Sequence, residues 1–149
     1  MAIARGAGTE IIRSGHFEDV DSTQQKLIVG VQHHIYTVLN IIVFTVALNV
    51  ATDRFSLQLT GYDAKAGTSA QDHRFLYQKT AVDTTFIWDA KIVFNGHEPT
   101  DFSGPMDDAA KQDAIADQGS SVAQILFCSG ANAADSFEVD ITYIDQNNA

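Results

Sequence analysis

The chain is short of several features that would mark common functions. It has one cysteine, Cys128, in 149 residues, so no intramolecular disulfide can form and no cysteine-based zinc motif exists, which suits a reducing compartment. Basic residues are scarce: 9 Lys and Arg stand against 19 Asp and Glu, a net charge of −10. The deficit lies in the second half, where residues 75–149 carry 12 acids and 3 bases, while residues 1–74 carry 7 and 6. Nucleic-acid affinity depends on clustered Lys and Arg displacing counterions, so direct nucleic-acid binding is not expected. The acidity reads as a solubility feature. A membrane helix needs about 20 mainly apolar residues. The longest candidate, Ile35 to Ala51, is interrupted by Thr37, Asn40, Thr45 and Asn49 and has no flanking Lys/Arg cluster, so no membrane span is expected. The opening MAIARGAGTEIIR lacks the apolar core of a signal peptide. No GxSxG, HExxH, phosphate-loop or dinucleotide glycine motif occurs.

What the chain does have is β patterning. In SFEVDITYI, Phe137, Val139, Ile141 and Tyr143 alternate with Glu138, Asp140, Thr142 and Ile144, the period-two pattern of a half-buried antiparallel strand. Phe55, Leu57 and Leu59 repeat it against Ser56, Gln58 and Thr60. The short ATDR turn then suggests a hairpin of 41–50 with 55–62. Further strands are expected at 27–31, at 73–79 alternating through Phe75 and Tyr77, and at 121–128. Another hairpin is expected from 84–88 and 91–94 around Asp89-Ala90. This gives an all-β fold, an antiparallel β-sandwich or jelly roll of about eight strands. A length of 149 residues fits one domain, taken as 16–149, with residues 1–15 as a flexible Gly-rich amino-terminal arm.

One stretch breaks the pattern. Between Asn95 and Ser121 lie both prolines and six acids against one lysine. A long acidic loop near 97–120 is expected there, with a short helix starting at Asp107 as an option. Loops of this length are commonly functional or mobile.

The segment GVQHHIYTVLNIIVFTVALNV, residues 30–50, carries two signals. Neighbouring side chains on a strand point to opposite faces, so His33 and His34 would not chelate one ion. His16, His73 and His97 are scattered without ligand spacing, and the pair reads as turn histidines with one ring packed on a neighbour. The apolar run scarcely alternates, so both faces of that strand are expected to be covered, either as a central strand within the fold or, the favoured option, with its outer face against another subunit. Cys128 reads as a small buried core residue, Trp88 as a core or interface aromatic, and the acids of 101–117 as a solvated loop without calcium-site spacing. No metal, cofactor or catalytic residue is assigned.

Four segments resemble small structural proteins of tailed bacteriophages that infect aquatic bacteria. GAGTEIIR is similar to an opening G-x-G-T-E-[IL]-[IL]-R, and HHIYTVLNI to an H-x-Y-x-[IV]-L-x-[IV] strand. FIWDAKIVF is similar to F-[VI]-W-[ND]-[DA]-K-[IVF]-V. ITYIDQ is similar, from Tyr143 onward, to a closing [CT]-x-Y-[IV]-D-Q strand. The acidic stretch 95–121 departs from the pattern. The resemblance implies a non-enzymatic virion subunit, a head decoration (cement) protein made in the host cytoplasm and located on the capsid surface. Its expected partners are the major capsid protein and further copies of itself, a homotrimer being favoured. The contact candidates are Arg5, Ile11, Ile12 and Arg13 near the amino terminus, Tyr36 and Phe44 on the apolar strand, and Trp88 and Phe102. Two alternatives remain. One is a virion attachment module, a tail or head-fibre receptor-binding domain using loops around Trp88 and 95–121. The other is a metal-dependent β-barrel enzyme resting on His33, His34 and His73.

Overall fold

The computed structural model describes residues 8–62, 70–89, 91–99, 109–110, 113 and 121–148. They form eleven strands: β1 (Thr9–Val20), β2 (Gln25–Val29), β3 (His34–Ala47), β4 (Arg54–Tyr62), β5 (Ala70–Lys79), β6 (Thr85–Trp88), β7 (Ile92–Asn95), β8 (His97–Pro99), β9 (Ser121–Ala123), β10 (Ile125–Ser129) and β11 (Ser136–Asn147). One sheet runs β1-β11-β3, with β6 and β7 both paired to β3; we call it the long sheet. The other, the short sheet, runs β2-β10-β4-β5, and β8 pairs with β9 alone. Every pairing is antiparallel. The fold is therefore the expected all-β antiparallel sandwich.

Alternation places the core. Phe137, Val139 and Ile141 of β11 face inward and are buried, as are Phe55 and Leu57 of β4. Aromatic contacts join the two sheets: Phe55 meets Phe137 at 5.2 Å and Phe86 at 6.1 Å, and Phe75 meets Trp88 at 5.4 Å. Off-centre and edge-on packing of this kind adds to the area each ring buries.

Bulges explain where simple alternation fails. On β3, Val38 pairs with Tyr143 and Asn40 with Thr142, so Leu39 is an extra residue. An extra residue switches the parity of every later position on its strand. The inward set is thus Tyr36 and Val38 before the bulge, then Ile41, Val43 and Thr45 after it, all buried. On β5, Leu76 pairs with Leu57 and Arg74 with Gln58, which makes Phe75 the extra residue. Phe75 and Leu76 both pack on the core, while Tyr77 is exposed, contrary to the expected alternation through Phe75 and Tyr77.

Four other expectations are corrected. Segments 41–50 and 55–62 do not form a hairpin, because β3 lies in the long sheet and β4 in the short one. The ATDR turn carries the chain across the core instead. Nor do 84–88 and 91–94 pair with each other: β6 pairs with residues 41–44 and β7 with residues 35–38, two successive pieces of one edge along β3. Of the arm expected over 1–15, residues 9–15 are part of β1 and register with β11 from Thr9↔Asn147 onward, while residues 1–7 lie outside the described residues. The strand expected at 121–128 is split at Gln124 into β9 and β10, and β8 with β9 closes the base of the acidic stretch. The helix expected from Asp107 falls almost wholly outside the described residues.

The break at Gln124 has a cause. Its backbone N–H donates to Gly96 O and its carbonyl accepts from Gly30 N, both at 2.8 Å, while Gly96 N donates to His34 O at 2.7 Å. This crossing stitches the end of β2 to the β7–β8 junction. It works only without side chains: a Cβ on Gly96 would sit 1.9 Å from Val31 O, and one on Gly30 1.9 Å from Gly96 O. Backbone cannot yield as a side chain can, so Gly96→Ala is expected to cost about 3 kcal/mol, the upper end of ordinary overpacking. Thermal melting should show a midpoint lower by roughly 6–12 °C. An unchanged midpoint would mean the crossing is looser than described.

Candidate functional site

Two features stand out on the long sheet: a polar cluster at one end of its inner face, and an apolar band on its outer face. The cluster is built from β1, β3 and β11. Asp145 points inward and is almost fully buried, and its two oxygens serve different strands. Oδ1 lies 2.6 Å from His34 Nδ1, and Oδ2 lies 3.4 Å from an Arg13 guanidinium nitrogen. Tyr36, next on that face, accepts a hydrogen bond from Val31 N at its hydroxyl (3.1 Å) and stacks against His34 and Phe94. Burial first, and then the Asp145 carboxylate, raise the Tyr36 phenol above its ordinary range. A buried carboxylate is tolerated where it is paired and hydrogen-bonded, so this is a clasp tying three strands together.

The clasp also accounts for the histidine pair. His33 sits in the turn at φ 63°, and the turn closes through His34 N to Val31 O. His34 opens β3 and turns inward to Asp145. His97 bonds Ser121 through Nδ1 at 3.0 Å, and His73 is exposed on β5. Among the described residues no group of three or more His, Cys, Asp or Glu is placed to hold a metal ion. Cys128 is buried in the core, and burial pushes its thiol up to about 12, so thiolate chemistry is suppressed there.

The outer face is laid out in rows across the strands. One row is Ile12, Ile144, Thr37 and Val93; another is His16, Asp140, Ile42 and Ile87; a third is Glu138, Phe44 and Thr85. Ile12 is 72% exposed, Ile87 62% and Val93 61%, with Ile42, Phe44 and Ile144 half-buried beside them. The half of the face formed by β3, β6 and β7 is therefore mainly apolar, broken by Thr37, Thr85 and Asn40, the last in a polar row with Thr142 and Ser14 that separates the first two rows. The half formed by β1 and β11 is acidic, carrying Glu10, Glu18, Glu138 and Asp140 and no Lys or Arg. His16 lies between two of these acids, Nδ1 at 2.7 Å from Asp140 and Nε2 at 3.3 Å from Glu18. Those bonds, Asp140 first, raise its pKa above the ordinary imidazole value.

The eight contact candidates are distributed unevenly. Ile12 and Phe44 lie on the outer face. Ile11 and Arg13 project to the inner side of the edge strand β1, Ile11 partly exposed and Arg13 reaching Asp145. Tyr36 is corrected: at 2% exposure it is a core and clasp residue and offers no surface. Trp88 faces inward against Phe75 rather than toward a ligand. Arg5 and Phe102 lie outside the described residues. The second face of residues 35–48 is half-buried within one chain, so the fold itself does not cover it and cover by another subunit stays a proposal. Ile42, Ile87, Val93 and Ile144 were not among the candidates. Their signal was present, because FIW and KIVF, like β3, are apolar at successive positions and so must be apolar on both faces.

The sequence matches no family model and no curated protein. A solved chain from Bacillus endospore appendages, described as a novel family of disulfide-linked pili, is similar over 100% of this chain and 97% of its own, at 9% identity and a TM-score of 0.43.

Proposed function

We propose that this chain is a structural subunit of a tailed-bacteriophage particle, a capsid decoration (cement) protein that docks through the outer face of its long sheet. The observation that carries the reading is the apolar band of Ile12, Ile42, Phe44, Ile87, Val93 and Ile144 on that face. A cluster of exposed large apolar side chains on one sheet face is a mark of an interaction site, and interfaces of this kind have an apolar centre and a polar rim. Here the acids of β1 and β11 supply one side of that rim.

The phage setting rests on the sequence resemblance, and the fold gives that resemblance a common location. Its four segments fall on β1, β3, β6 with β7, and β11, which are the neighbouring strands of the long sheet. The Ile12–Ile144–Thr37–Val93 row takes one residue from each. Arg13, His34, Tyr36 and Asp145, also within those segments, form the clasp beneath. Decoration works by adding contact area across neighbouring capsid subunits, so its chemistry is burial and complementarity.

Ile87→Asp tests the docking face. The side chain is 62% exposed, so the fold should survive with a melting midpoint close to that of the parent. Binding to capsids stripped of the protein should fall by on the order of tenfold or more, the effect of desolvating a charge in an apolar contact. Co-sedimentation with capsids measures it. Unchanged binding by a folded Ile87→Asp protein would remove this face from the proposal.

A further inference from the structure

The outer face of the short sheet has the opposite character. In a chain with twice as many acids as bases, Lys26, Arg54, Arg74 and Lys79 all project from this one face. Asp72, hydrogen-bonded to Thr60, is the acid among them. Arg54 and Arg74 both lie over the Tyr77 ring, at 5.1 and 4.7 Å from its centroid, which holds two guanidinium groups side by side. None of the four cations forms an ion pair with a carboxylate in the described residues. Exposed Tyr77 and Val29 give the face apolar area as well. The β1–β11 half of the long-sheet face offers the complement: four acids and no lysine or arginine, with exposed Ile12 beside them.

We infer that the outer face of the short sheet docks against the β1–β11 half of the long sheet's outer face in a second copy of this chain, its four cations meeting Glu10, Glu18, Glu138 and Asp140, while the half formed by β3, β6 and β7 is left for the capsid. The inference rests on reading the long-sheet face as an assembly surface, and it names the partner of that face's acidic half. Two long-sheet faces placed together would set acids against acids, and like-charge contacts of that kind suppress wrong pairings. The contact is head-to-tail. It closes into a ring, the trimer among the options, if successive copies turn through the right angle, and otherwise runs on as an open stack.

Paired charge reversals test it. Arg74→Glu with Lys79→Glu leaves the basic face with three acids against two bases; Glu138→Lys with Asp140→Lys leaves the acidic half with two acids against two bases. All four side chains project outward, so both variants should melt near the parent. Sedimentation of the parent at about 50 mM salt should give a mass above the 16.2 kDa chain mass, and association should weaken as salt rises to about 500 mM. Each variant alone should associate on the order of tenfold less tightly or worse. An equimolar mixture should regain association, because the unaltered basic face of one variant then meets the unaltered acidic half of the other. A monomeric parent under all conditions overturns the inference, as does a mixture that stays monomeric. It is also overturned if Arg74→Glu with Lys79→Glu self-associates like the parent but loses binding to heparin beads, which would assign the basic face to a different anionic partner. Copies that associate while capsids ignore the protein would refute decoration and leave this contact standing. Capsid binding through Ile87 by a strictly monomeric chain would do the reverse.

Discussion

Phe55→Ala is expected to remove about 4 kcal/mol of stability, within the range for deleting a buried aromatic. Phe55 is fully buried on β4 and is the short-sheet ring that touches both Phe137 and Phe86 of the long sheet. Truncation would leave a cavity bounded by side chains on opposite sheets, and a sandwich cannot close that gap without moving one sheet relative to the other. Domains of this size have about 5–15 kcal/mol in total, so the variant should be close to partial unfolding at elevated temperature. Urea titration should show a lower midpoint with an unchanged slope. Phe44→Ala is the control. The same side chain on the outer face is half-exposed, so its loss should cost about 1 kcal/mol. Equal losses at the two sites would mean that the outer face is covered in the free protein.

Asp135→Ala should cost about as much, by a different route. Asp135 is 3% exposed and anchors two connections at one end of the sandwich. Oδ1 accepts from Asn49 N at 2.8 Å, just beyond β3; Oδ2 accepts from Ala131 N and Asn132 N, each at 2.9 Å, between β10 and β11. Removing the carboxylate orphans three backbone donors, and each buried unsatisfied donor costs roughly 1–3 kcal/mol. Water will reach some of them once the loop loosens, giving about 4 kcal/mol overall. Asp135→Asn separates shape from chemistry. An amide keeps one acceptor but turns an NH2 toward donors on its other side, so at least about half of the loss should remain. Thermal melting of the pair decides: an asparagine variant as stable as the parent would contradict the two-sided clamp.

How much of this was legible beforehand depends on the kind of information each feature needs. β11 and β4 could be read residue by residue, because a strand with one wet face writes its orientation as alternation. The buried face of β3 could not. A single extra residue at Leu39 reverses which parity faces the core, and bulges leave no mark in composition. Both expected hairpins failed for one reason. Short turns are compatible with pairing the flanking strands and with crossing between sheets, and only the partners elsewhere in the chain choose between them. The clasp was legible in pieces. His34 and Asp145 are 111 residues apart, and their 2.6 Å contact exists because β3 and β11 are neighbours. The outer apolar face was half legible: the β3 run pointed to a second covered surface, while Ile87 and Val93 lie on short strands, apolar on both faces, whose outward side the sequence does not mark.

The central claim is that the long-sheet outer face is the surface by which this chain sits on a capsid. A reconstruction of particles carrying the protein tests that most directly. Density for the sandwich is expected on the outer capsid surface, with Ile12, Ile87 and Val93 buried in a contact. Sandwich density on the tail, or on the head with that face turned to solvent, would contradict it.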